Sequence, residues 1–178
     1  MLELFIKYKP KNELEKRLLR AAIFLWNLAI YSIPLFLISQ GIIIFPMYIL
    51  EYYTILVEYL LKLSGIEVVR ENNILIVRDY NFAITQDCIG YKSLLGLFAI
   101  IFATPIKNFK VKARFFLIFA PISIFANIIR VYSTISLFYY YNIDPKFIHD
   151  VIWAILVTGL IILLWVIYFV KNKNNLAI

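Results

Sequence analysis

One cysteine, one histidine and one arginine within an apolar stretch are the residues of this sequence best suited to nucleophilic chemistry. Cys88 stands in the segment 87–93, where a polar stretch meets the start of a long apolar segment. The backbone dipole and unpaired N–H groups at a helix N-terminus favour a thiolate. Because the chain has no second cysteine, Cys88 cannot form an intrachain disulfide. It is therefore the first candidate for a nucleophile.

Two other side chains have chemistry that could assist a thiol. His149, the only histidine, can act as a general acid or base near neutral pH. Arg130 stands within an apolar run, where an arginine costs about 2.5–3.5 kcal/mol on insertion scales and usually marks a function or a buried partner. The structural alternatives are a Cys88 that merely fills apolar space, a solvated His149, and an Arg130 paired with Glu51 or Glu58.

Asp87 directly precedes the cysteine and has two opposite consequences. As a short acidic residue before an apolar run, it is expected to cap a helix. Its charge beside Cys88 would also oppose formation of a thiolate, unless Lys92 or Arg130 offsets it.

The composition predicts an integral membrane protein. Hydrophobic residues make up 63% of the 178 residues, and the mean hydropathy is +0.83, too apolar for a soluble domain of this size. The formal net charge of +7 does not imply nucleic acid, because the basic residues cluster at the ends of apolar segments. No cofactor and no metal site are predicted.

Four apolar segments are nearly long enough, or longer than needed, to cross a hydrocarbon core, which takes about 20 residues. The segment 45–64 differs because a polar stripe of Glu51, Thr54, Glu58 and Lys62 runs along it, so it is predicted to be an interfacial or re-entrant helix. A crossing with its carboxylates turned into the bundle stays open. The four predicted spans are 21–44, 89–105, 115–141 and 151–170.

Basic segments predict the orientation of these spans. The N-terminus 1–20, the loop 107–114 and the tail 171–178 are basic and are expected in the cytoplasm. The segment 66–86 would then lie outside as a β-hairpin cap, with strands over 66–70 and 74–78 and a further candidate strand over 82–85.

The predicted fold is therefore an all-α integral membrane protein: a bundle of about four transmembrane helices, an interfacial or re-entrant helix and a small extracytoplasmic β-hairpin. The chain 1–178 is expected to be one domain in the plasma membrane. Cys88 and His149 would lie at its extracytoplasmic face, and Arg130 can extend its side chain toward them.

The order of these residues resembles that of the exosortase and archaeosortase transpeptidases, and the small size is similar to short archaeal forms. The resemblance covers about 45–170 and includes the segment 60–68, which is similar to a Leu-Leu-x-x-x-Gly-Ile-x-Val pattern that precedes the cysteine in that family. Ile89 departs from the serine that many members have there. The residues that carry the resemblance are Cys88, Gly90, Lys92, Ser93, Asn127, Arg130 and His149.

The resemblance implies a mechanism that the residue types allow. Cys88 would attack a peptide carbonyl in the C-terminal sorting signal of an exported protein, a signal made of a short motif, a membrane helix and a basic tail. His149 would serve as acid and base, and Arg130 would stabilise the oxyanion or the thiolate. An amine, expected on a membrane lipid, would resolve the thioester. The alternatives are an intramembrane cysteine protease without transfer, and a small non-enzymatic membrane carrier or assembly protein in which Arg130 binds an anionic headgroup.

Overall fold

The computed structural model of the protein describes residues 10–106 and 108–173, and most of them are helical. The predictions for the N-terminal basic segment, the basic loop and the tail fall partly outside these residues, at 1–9, 107 and 174–178. Their cytoplasmic placement stays a prediction.

The first apolar segment is a helix in two parts, α1 (Glu13–Tyr31) and α2 (Ile33–Ser39). The side chain of Asn12 caps α1 by accepting a hydrogen bond of 2.8 Å from the backbone N–H of Glu15. Compared with the predicted span 21–44, the helix begins earlier and ends earlier. The cap allows the helix to begin earlier, and α2 ends before Gly41, whose φ of +70° lies in the left-handed region.

The next helix, α3 (Met47–Leu63), corresponds to the predicted interfacial helix. One face packs against the sheet and the longest helix. Glu58 pairs with Lys62 of the same helix at 2.6 Å and with Arg70 of the strand that follows at 2.8 Å. Its depth relative to a membrane stays a prediction. The residues buried along the packed face are Leu50, Tyr53, Thr54, Val57 and Leu61.

A three-stranded antiparallel sheet follows, where the sequence indicated a hairpin. Its strands are β1 (Val69–Glu71), β2 (Ile74–Val77) and β3 (Tyr80–Ala83), in the order β1-β2-β3. The first strand begins later than predicted because Ile66 and Val68 are buried in the core rather than paired. The third strand begins at Tyr80 rather than at Phe82, directly after a tight turn in which Arg78 has a φ of +54°.

The chain then forms a single helical turn, α4 (Gln86–Ile89), and a second helix, α5 (Tyr91–Ala103), separated by Gly90. This is the predicted second span, shortened at both ends to 13 residues in α5. A helix of that length rises about 20 Å, less than the roughly 30 Å of a hydrocarbon core.

The longest helix is α6 (Phe109–Tyr141), which includes Pro121 and contains the predicted third span. After it come the short α7 (Pro145–Phe147), a π-helical segment (Ile148–Ile152) and α8 (Trp153–Asn172). Within the described residues, three helical stretches are long and apolar enough to cross a membrane: Glu13–Ser39, Phe109–Tyr141 and Pro145–Asn172. This finding agrees with a membrane protein, and the number of about four spans stays a prediction.

Helix α5 lies at the centre of the bundle, with α1, α6 and α8 packed against it. Two apolar cores form. One joins α5, α6 and α8, and the other joins α3, the sheet and α6 around Leu61, Leu75 and Ile135. In the second core, the segment 84–90 packs between the sheet and α6, which places Cys88 beside the residues of α6.

Candidate active site

Cys88 is half-buried in the single turn α4, which holds its thiol close to the end of the sheet. Its backbone N–H donates to the carbonyl of Thr85 at 3.0 Å, and its Sγ lies 3.7 Å from Thr85 Oγ1. A turn of four residues has too small a dipole to activate a thiol as the sequence suggested. The groups that act on Cys88 are therefore its neighbouring side chains.

Gly90 allows the cysteine-bearing turn to approach α6. Its φ is +88°, and a Cβ added to it would lie 2.5 Å from Asn127 Cγ. The Asn127 amide occupies this space and donates hydrogen bonds to the carbonyl of Cys88 and, at 3.1 Å, to the hydroxyl of Tyr53. The Tyr53 hydroxyl in turn donates to the carbonyl of Asn127 at 3.3 Å. These contacts fix the backbone of Cys88 against both α6 and α3.

His149 lies in the π-helical segment, an element often found at functional sites. Its Nδ1 is 2.8 Å from Asp150 Oδ1, and its Nε2 faces Arg130 Nη2. A guanidinium can only donate, so Nε2 is the acceptor and Nδ1 carries the proton that is donated to Asp150. The His149 ring also lies close enough to the Cys88 thiol to act on the pKa of that thiol. The imidazole is thus held between the Asp150 carboxylate at Nδ1 and the Arg130 guanidinium at Nε2.

The side chain of Arg130 extends from α6 to the His149 ring. Besides His149, its Nη2 donates to the carbonyl of Asp87 at 3.5 Å, whereas its Nε is buried without a hydrogen-bond partner within the described residues. The structural alternative, in which Arg130 pairs with Glu51 or Glu58, is not found within the described residues, and Glu58 pairs with Lys62 and Arg70 instead. The guanidinium is therefore held through its Nη2, and its buried Nε stays unpaired.

The pKa of the Cys88 thiol is lowered from its ordinary value. Burial acts to raise this pKa, but the interactions of the thiol with His149 and Thr85 together outweigh burial. The pKa of Asp87 is also lowered: burial opposes the charge, but an ion pair with Lys92 at 2.9 Å overcomes that effect. Asp87 is therefore not the helix cap that the sequence suggested, since Thr85 holds that position. Lys92 offsets the charge next to the cysteine.

Ser93 has a structural contact in this site. Its hydroxyl donates to the carbonyl of Gly90 at 2.8 Å and accepts from Ser123 of α6 at 3.3 Å. Ser93 thereby anchors the first turn of α5 to α6, directly after the cysteine turn.

The thiol and the imidazole open into one cleft of about 370 Å³. One wall is the consecutive stretch 80–85 of the sheet, and the opposite wall is formed by α6 and the start of the last helical region. Cys88, His149 and Asp150 all line it, together with Val131, Thr134, Ile135, Pro145 and Lys146.

The structure brings Cys88, Arg130 and His149 together from three separate elements, with Asn127 and Gly90 directly behind the cysteine. Sequence reasoning missed Asp150, Thr85 and Tyr53. Asp150 could have been found, because an acidic residue directly after the only histidine is a candidate to orient the ring. Tyr53 carried no such signal, since it lies 74 positions before its partner Asn127.

A comparison with protein families identifies a family that matches most of the chain. The model described as transmembrane exosortase (Exosortase_EpsH) matches residues 14–166, which include every candidate site residue. No curated protein and no solved structure matches the chain. Because the matched region spans most of the sequence and contains the site just described, the chain belongs to the transmembrane exosortase family.

Proposed function

We propose that this protein is a membrane cysteine transpeptidase that cleaves a C-terminal sorting signal from exported proteins and transfers them to an amine, expected on a membrane lipid. The observation that carries the proposal is the meeting of the only thiol and the only imidazole at one cleft, with the Arg130 guanidinium in contact with that imidazole. We further propose that this cleft lies at the extracytoplasmic face of the plasma membrane.

The first half of the reaction forms a thioester. When the Arg130 guanidinium turns from His149 Nε2 to the substrate, Nε2 accepts the Cys88 proton. The Asp150 carboxylate at Nδ1 stabilises the resulting imidazolium. The thiolate attacks the substrate carbonyl carbon and forms the S–C bond. The imidazolium then gives its proton to the leaving nitrogen, and the C–N bond breaks.

Arg130 is the group suited to the charge that develops on the carbonyl oxygen. Its Nη2 donates to His149 Nε2 and to the Asp87 carbonyl, so the guanidinium lies beside the turn that carries Cys88. A fixed cationic donor in a partly buried site stabilises an oxyanion more strongly than water does. Arg130 is thus assigned to the oxyanion and the thiolate.

The second half of the reaction consumes the thioester. An amine attacks the thioester carbonyl, His149 removes a proton from that amine, and the C–S bond breaks as the Cys88 thiol is restored. The product is an amide that joins the substrate to its acceptor. Attack by water would give hydrolysis instead, the reaction of a protease without transfer.

The proposal is tested with Cys88→Ala in cells that contain an exported protein with a C-terminal motif, membrane helix and basic tail. The mass of its mature C-terminus should show cleavage with a lipid-linked amine in the wild type and the intact signal in the variant. A bare new carboxylate in the wild type would indicate the protease. Retained cleavage and anchoring in the variant would refute nucleophilic catalysis and favour a carrier centred on Arg130.

The same experiment separates chemistry from folding. Replacing one small side chain at a half-buried position opens little space, so Cys88→Ala should cost about 1 kcal/mol or less of the free energy of unfolding. Ser32→Ala, between α1 and α2, provides a matched control that should process the substrate normally.

A further inference from the structure

The strand next to the nucleophile has a free edge. In the described part of the chain, β3 pairs with β2 alone, and β2 lies between β3 and β1. β3 ends at Ala83, and the cysteine turn begins three residues later. The unpaired side of this strand therefore leads toward Cys88.

The register shows which main-chain groups point away from the sheet. Ile84 N–H donates to the carbonyl of Asn73 at 2.8 Å, so Ile84 turns its main chain toward β2. Residues of an antiparallel strand alternate between facing the partner and facing away from it. Asn81 and Ala83 consequently present their N–H and C=O groups outward, and the side chains of both residues are exposed.

This free edge is also a wall of the cleft. Successive side chains of a strand point to opposite faces, so a cleft lined by the consecutive stretch 80–85 must run along the edge of the strand rather than over one face. Its other end is lined by Cys88 and His149. An unsatisfied strand edge and a nucleophile thus share one cleft.

We propose that the edge of β3 binds the main chain of the substrate's sorting segment in extended form, as an added strand that presents a peptide carbonyl to Cys88. This inference rests on the proposed function, because it assigns that reaction its substrate conformation. Main-chain hydrogen bonds to Asn81 and Ala83 supply affinity that does not depend on the substrate's side chains. Lys146 on the opposite wall adds a single cation that a side chain or carboxylate of the substrate can contact.

If the substrate binds as an added strand, the effect of methylating its peptide nitrogens should alternate from one residue to the next. Only alternate residues of the bound peptide turn their N–H groups toward β3, so methylation of those nitrogens removes a hydrogen bond and methylation of the others does not. Each lost hydrogen bond should lower the rate of capture about three- to tenfold.

The test measures alkylation of Cys88 in the full-length purified protein by acetyl-tetra-alanine chloromethyl ketone. The thiolate displaces chloride, forming an S–C bond as the C–Cl bond breaks. Chloroacetone, which carries the same reactive group without a peptide, gives the reference rate for each variant. The rate of alkylation by the peptide reagent, divided by the rate with chloroacetone, should exceed about 10, since two or more main-chain hydrogen bonds contribute to it. It should fall in an alternating pattern when single peptide nitrogens are methylated.

Proline on the protein side gives a second readout. Ala83→Pro removes an outward N–H next to the cleft and should lower the ratio about three- to tenfold. Arg70→Pro is the matched control, because Arg70 pairs with Leu75 and faces outward on the opposite edge of the sheet, away from the cleft. It should keep the wild-type ratio.

A ratio near one, an equal effect of methylation at every position, or equal ratios in Ala83→Pro and Arg70→Pro would overturn the added strand. The methylation series uses the wild-type protein, so it remains decisive if a proline variant does not fold. Failure of the proposed function is a different result: alternating capture would persist, while Cys88→Ala would still process the exported protein.

Discussion

The two ends of α5 are built in different ways. At its start, Gly90, Asn127 and Ser93 are joined by specific polar contacts and by one close approach that only a glycine permits. Near its end, rings pack against one another, with Phe98 4.5 Å from Phe102 and 5.5 Å from Phe116 between ring centroids. Apolar contacts tolerate exchange of similar volumes, whereas a polar site loses function when one donor moves. Substitutions of similar size should therefore reduce activity at the start of α5 and change only stability near its end.

The largest effect is expected for Arg130→Lys. An ammonium keeps the charge but loses the planar set of donors with which Arg130 contacts His149 and the Asp87 carbonyl. Processing of the exported substrate should fall by about 100-fold or more. The same exchange in Arg70→Lys, at a surface pair with Glu58, is the control and should process normally. Equal activity of the two variants would remove Arg130 from the mechanism.

Gly90→Ala should damage stability and activity together. The added Cβ would lie 2.5 Å from Asn127, and the left-handed backbone is itself strained for alanine. The free energy of unfolding should fall by about 2–3 kcal/mol in chemical denaturation. Gly96→Ala provides the comparison, because a Cβ at Gly96 meets no atom within 4 Å and should leave stability unchanged or slightly higher. Similar stabilities of the two variants would contradict the close approach.

His149→Ala should change the pH dependence of Cys88. The pKa of this thiol lies below its ordinary value, with His149 the largest contribution opposing the effect of burial. The thiolate fraction therefore rises with pH, and half of it is reached at a lower pH than for an ordinary thiol. Without His149 the pKa should rise, so alkylation by iodoacetamide should be slower at neutral pH and its profile should move to higher pH. An unmoved profile would show that His149 does not act on the thiol.

The smallest effect is expected at the aromatic end. Phe98→Leu keeps an apolar side chain among Tyr31, Phe102 and Phe116 and loses only ring contacts. It should cost about 1 kcal/mol of the free energy of unfolding and leave processing unchanged. A loss of processing comparable to that of Arg130→Lys would mean that the two ends are coupled, and the contrast between them would not hold.

Sequence patterns of short range were sufficient for several parts of this protein. Composition predicted a membrane protein, and the apolar runs predicted α6 and α8, because the free energy of transfer to lipid depends on residue type along a local stretch. The turn at Asn72 and Asn73 was predicted between two β-rich segments. The ordered set Cys88, Arg130 and His149 was sufficient to recognise the family, which the family comparison confirms.

The tertiary structure decided which of these groups meet. Arg130 contacts His149 rather than Glu58, and the Asn127 side chain lies in the space that Gly90 leaves open. The sequence around these residues does not show which of them will be in contact. The free edge of β3 is likewise visible only once the strand order is known. The physical reason is the separation in sequence of the residues that interact. A helix or a turn depends on neighbours along the chain, whereas a hydrogen bond across the bundle depends on how several elements pack together.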